Sequence, residues 1–124
     1  MPISGNMPSF LHTGVITLIC LLPLSLSGAD APQGMSGREL AFNTAKGNCL
    51  ACHQMPSDPT AQTSANIGPP LIGMKARFPD RARLRAQIWD ATAFNQDTVM
   101  PPFGKHKVLT EDEIDKIVDY VAGL

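Results

Sequence analysis

Cys49-Leu50-Ala51-Cys52-His53 brings two thiols and an imidazole together within about one turn of backbone. Thiols at this spacing can add to the two vinyl groups of a porphyrin. The adjoining imidazole can then bind the iron from the same face. C-x-x-C-H is the attachment sequence for c-type haem. The bland readings of C-x-x-C are half a zinc site or a thioredoxin-like redox pair. Zinc needs more ligands, and beyond the apolar leader only His53 and His106 offer ring nitrogens, with no second C-x-x-C. A thioredoxin-like pair needs a βαβ setting, and no β-rich stretch occurs. The motif therefore points to one covalent haem c on Cys49 and Cys52, with His53 on the iron.

A second axial ligand should come from further along the chain. The candidates are Met35, Met55, Met74, Met100 and His106. Met55 lies too close to His53 to cross to the other face, and Met74 follows a loop expected on the His53 side. Met100 sits in Thr98-Val99-Met100-Pro101-Pro102-Phe103. The two prolines stiffen this loop by fixing φ, so a thioether there loses little entropy on ligation. The alternative is that Met100 only fills the core, as most Met residues do. His106 is the rival ligand, but Lys105 and Lys107 beside it mark an exposed site. Met100 is preferred. In Ile67-Gly68-Pro69-Pro70-Leu71-Ile72-Gly73, Pro69 is the nominated carbonyl partner for the second ring nitrogen of His53. Such a partner fixes the ring and raises its basicity.

Three helices should position these groups. The first is expected from about Ser36 into the haem motif, with Ser36 and Glu39 as a capping box and Leu40, Ala41 and Ala45 on one face. A middle helix should run from Pro79 or Asp80 to Trp89 or Asp90. Within it, Trp89 reads as a core residue, or as a donor to a haem propionate. The last helix begins at Thr110 with Glu113 as its box partner. Glu111, Asp112 and Glu113 place acid at its positive end. Ile114, Ile117, Val118 and Val121 make an apolar stripe at helical spacing. The stripe should pack on the first helix, with Tyr120 at its margin.

The 124 residues suggest one domain, and a net charge of −1 selects no partner class. Gly14 to Leu26 is a nearly continuous apolar run, broken by Pro23 and too short to span a bilayer comfortably. It fits the centre of a signal peptide, cleaved after Ala29 or Ala31. Residues 1–31 are thus expected as leader and 32–124 as the mature domain. The leader has no Lys or Arg before its apolar run, which leaves a retained anchor or another start site as alternatives. Cys20 would leave with the leader. The remaining core is small enough to need help, which a covalent cofactor would supply. Lys75, Arg77, Arg81, Arg83 and Arg85 form a basic stretch, read equally as a solvated face or as a docking patch for an acidic partner.

Gly47 to His53, Gly68 to Asp80, Ile88-Trp89-Asp90 and Val99 to His106 together resemble SoxX, the monohaem subunit of the SoxAX cytochrome of sulfur-oxidising bacteria. The likeness spans nearly the whole mature chain. Gly73-Met74-Lys75-Ala76-Arg77-Phe78-Pro79-Asp80 and Met100-Pro101-Pro102-Phe103-Gly104-Lys105-His106 carry most of it, since the haem motif is common to all c-type cytochromes. The resemblance implies an all-α class I cytochrome c fold with short helices around one haem. It implies a periplasmic heterodimer with a SoxA-like cytochrome, acting as an L-cysteine S-thiosulfotransferase. That complex couples thiosulfate oxidatively to a cysteine of the SoxYZ carrier. The sulfur chemistry belongs to the SoxA haem; this subunit would accept the electrons and pass them to a downstream cytochrome c. By motif match, Cys49 and Cys52 carry the haem, and His53 and Met100 are axial.

No Ser, Cys or carboxylate constellation in the chain reads as a catalyst on its own. The rival functions are a free-standing diffusible cytochrome c and a haem sensor or small haem enzyme with an open iron. A haem-free C-x-x-C redox module is a third. Nucleic-acid binding does not suit an exported, near-neutral chain with few aromatics.

Overall fold

Glycine at position 37 lets two helices cross at backbone contact. A Cβ there would lie 1.9 Å from the carbonyl oxygen of Lys116, so any other residue would push the helices apart. The first of these, α1 (Gly37–Phe42), starts with the Ser36–Glu39 capping box and buries Leu40 and Ala41. The other, α4 (Glu111–Ala122), starts with the Thr110–Glu113 box and buries Ile114, Ile117, Val118 and Val121. Both boxes satisfy amides that a helix start leaves without partners.

The computed structural model describes residues 1–3, 5 and 34–124. The chain divides into two units, Met1–Asp30 and Ala31–Leu124. Nearly all of the expected signal peptide lies outside the described residues. The second unit holds the described helices and the core between them.

The first helix is shorter than its sequence suggests. It stops at Phe42 because Asn43 is extended, with φ −68° and ψ 120°, and the Asn43 side chain accepts the Ala45 N–H at 2.8 Å. This local Asn turn competes with helix and leaves Ala45 exposed rather than on the buried face. Asn48 then takes the left-handed conformation (φ 46°) and opens a 3-10 turn, Cys49–Ala51. Asn tolerates that conformation better than most residues.

Two more helices complete the frame. A single turn, α2 (Met74–Arg77), follows Gly73, whose φ of 60° favours glycine. Next, α3 (Arg81–Trp89) is capped by Asp80, which accepts the Ala82 N–H, and buries Leu84 and Ile88. Leu40, Met74, Leu84, Ile88, Phe103, Leu109 and the stripe of α4 form one core. No strand occurs among the described residues.

Arg81 and Arg85 of the basic stretch are spent in ion pairs within the molecule. Arg81 Nε donates to Asp119 at 2.8 Å, and Arg85 reaches Asp115 at 2.9 Å and Glu111 at 2.6 Å. Arg77 donates to the Pro70 carbonyl at 2.7 Å. The Arg81 and Arg85 bonds tie α3 to α4. Trp89 packs against Gly104, where a Cβ would lie 2.1 Å from the indole. The Trp89 carbonyl accepts the N–H groups of Gly104 and Lys105 at 3.1 and 3.2 Å. Trp89 thereby anchors the loop that carries Met100 to the end of α3.

Candidate functional site

The 3-10 turn sets Cys49 and Cys52 three residues apart on one short coil, and the His53 N–H donates to the Cys49 carbonyl at 2.8 Å. Both thiols are free and half-buried. Burial pushes the Cys49 thiol up to about 11. Redox-active C-x-x-C pairs depend on a depressed thiol pKa, because the thiolate is the nucleophile. At Cys49 the shift runs the other way.

The segment after the motif is held to the proline loop by two backbone bonds. Gly68 N–H donates to Cys52, and Leu71 N–H donates to Gln54, both at 2.8 Å. This pairing brings His53 Nδ1 within 2.7 Å of the Pro69 carbonyl oxygen. A carbonyl can only accept, so Nδ1 is the donor, and in the neutral ring Nε2 then keeps its lone pair free. Gly68 lies against the ring: a Cβ there would come within 2.3 Å of His53 Cε1.

Cys49, Cys52, His53, Pro69 and Met100 all line one cavity of about 550 Å³. Its other walls include Leu71, Met74, Leu84, Ile88, Ile117 and Val121. The volume lies within the roughly 300–1,000 Å³ typical of cofactor pockets. A predominantly apolar hollow with paired thiols, a free imidazole nitrogen and a thioether on its walls fits a covalently attached haem. Met100 is fixed by its own N–H, which donates to Thr98 Oγ1 at 3.1 Å.

Of the other candidate ligands, Met74 also lines the cavity, while Met35, Met55 and His106 do not. Met55 is buried outside the cavity lining, with its sulfur 3.5 Å from Tyr120 Oη. The Met74 sulfur accepts from Arg77 at 3.3 Å, and the Met35 sulfur accepts from Asn43 at 3.4 Å. His106 is exposed and does not line the cavity. Sequence reasoning missed two residues of the site. Gly68 was visible only as part of a turn-rich run. Gln87 had no local signal, since its place on the cavity wall depends on how α3 packs.

The family model for cytochrome c oxidase, cbb3-type, subunit III matches residues 33–121. The chain belongs to this cytochrome c family. The crystal structure of SoxXA from P. pantotrophus superposes on this cytochrome with a TM-score of 0.62 and 26% identity, covering 69% of this chain and 77% of that one. An uncharacterised lipoprotein of Aquifex aeolicus (strain VF5) is 37% identical over 76 residues, which are 61% of this chain. The match spans about a third of that relative, 36% of its length. This cytochrome therefore has the all-α cytochrome c fold, is SoxX-like, and binds haem c covalently. Among the described residues, no helix is long and apolar enough to cross a membrane.

Proposed function

We propose that this cytochrome is the electron-accepting subunit of a periplasmic SoxAX-type complex. Cys49 and Cys52 would anchor the haem by thioether bonds, and His53 through Nε2 and Met100 through Sδ would hold its iron. Bound there, the haem supplies a reversible one-electron couple. With His53 and Met100 both committed to holding it, a bound haem would suit electron storage rather than substrate binding, and Met/His ligation would raise its potential.

The chain's own residues hold that arrangement. The Pro69 carbonyl accepts the Nδ1 proton of His53, which keeps Nε2 aimed at the iron and strengthens its donation. The Thr98 hydroxyl holds the amide of Met100, so the thioether loses little freedom on binding. The apolar walls exclude water from the iron.

The SoxXA likeness carries the choice of pathway. Joining thiosulfate to a carrier cysteine forms a sulfur–sulfur bond and releases a pair of electrons. We assign that chemistry to a SoxA-like partner, and the acceptance and onward transfer to a downstream cytochrome c to this chain. The signal peptide, with cleavage after Ala29 or Ala31, belongs to the same proposal; the lipoprotein relative supports a site outside the cytoplasm. The test mixes oxidised protein with thiosulfate, a SoxYZ-type carrier and a SoxA-type cytochrome. Its haem should be reduced only when all three are present, and it should elute with the SoxA-type protein. Elution alone, with reduction independent of that partner, would identify a free-standing carrier instead.

A further inference from the structure

Met100 has a polar neighbour that neither the motif nor the family assignment names. Gln87, on α3, lines the cavity and is half-buried. Its Nε2 lies 4.0 Å from Met100 Sδ. The contact is long, at the outer edge of what sulfur accepts. It is nevertheless the side-chain contact that the amide makes, and it is aimed at a thioether.

A thioether sulfur carries two lone pairs. If one binds iron, as proposed above, the second is left able to accept a hydrogen bond. The wall offers an amide N–H. Leu84 and Ile88 are buried on the same helix, so α3 is fixed by packing and the amide is carried on a rigid element. Asn/Gln side chains present two N–H groups, and a thioether can only accept, which sets the orientation of the amide.

We propose that Gln87 is a positioning residue for the haem iron, acting through Met100. It donates to the free lone pair of Sδ and selects which pair faces the metal. The donated hydrogen bond withdraws electron density from sulfur. Ferric iron needs that density more than ferrous iron does, so the bond favours the reduced state. Hydrogen bonding around the axial ligands is one of the levers by which a protein sets haem potential.

The test uses the holoprotein and its Gln87→Leu and Gln87→Ala variants. Two quantities are read on each: the sulfur-to-iron absorption of the ferric form and the midpoint potential. The wild-type absorption checks the axial assignment first; its absence would remove Met100 from the iron and is a separate failure. With that band present, both variants should show a lower potential than wild type while retaining covalent haem. Gln87→Ala serves if Gln87→Leu fails to fold. Potentials equal to wild type, with the band intact, would overturn the proposal. A merely structural role for Gln87 would lower the melting temperature and leave the potential where it was.

Discussion

The His53 ring is confined between Gly68 and the Pro69 carbonyl. Nδ1 stands 2.7 Å from that oxygen, and the α-carbon of Gly68 approaches so closely that one methyl group would fall 2.3 Å from Cε1. The loop thus fixes the ring by a hydrogen bond on one atom and by contact on another.

Gly68→Ala should displace the imidazole, because the backbone of residue 68 is itself pinned by its bond to Cys52. Forced overpacking of this kind costs about 1–3 kcal/mol. The expected outcome is a lower denaturation midpoint and a perturbed haem spectrum, read by absorbance during denaturant titration. A variant with the wild-type spectrum and midpoint would show that the ring is not held there.

Met100→Ala should abolish the sulfur-to-iron absorption of the ferric protein and lower the potential. Met74→Leu should keep that absorption, because the Met74 sulfur is engaged by Arg77. Comparing the two ferric spectra is enough. The reverse pattern would exchange their roles.

Asp58 gives the fold an acid limit. Its carboxylate accepts from the Thr60 hydroxyl and amide, from Arg38 Nε at 2.8 Å and from Tyr120 Oη at 2.8 Å. Those donors, Thr60 first and Arg38 next, hold its carboxyl well below the usual Asp range, while burial and the same carboxylate raise the Tyr120 phenol. In the unfolded chain Asp58 binds its proton near the ordinary value of about 3.9. The folded state resists protonation, so the stabilisation is complete above that value. It is lost as pH falls from there towards the lower folded value. Asp58→Asn should therefore be less stable than wild type at neutral pH, and the difference should shrink as the pH is lowered below about 4. Urea midpoints measured across pH check this. A constant gap down to strongly acid pH would contradict it.

Local signals and tertiary ones were unequally legible. The last helix could be read outright because its cap, acidic first turn and apolar stripe all lie within Thr110–Ala122 and agree with one another. The middle helix was equally plain, with Asp80 as cap. The end of α1 was not, because a three-residue Asn43 turn outweighs a run of helix-compatible residues. α2 has four residues, too few to show a period, and owes its form to Met74 entering the core. Within the site, the covalent motif is contiguous and could be read directly. The approach of Gly68 to His53 and of Gln87 to Met100 depends on segments 15 and 13 positions apart. No spacing rule reports such contacts. The Asp58 cluster was invisible for the same reason, since Arg38, Asp58 and Tyr120 meet only after α1 and α4 cross.

The most direct measurement is the intact mass of the mature protein, purified from a host able to attach haem c and denatured in acid. The account predicts the polypeptide plus one haem, with a Cys49→Ser, Cys52→Ser double variant giving the polypeptide alone. A wild-type mass equal to the bare chain, or a double variant that still carries the extra mass, would contradict it.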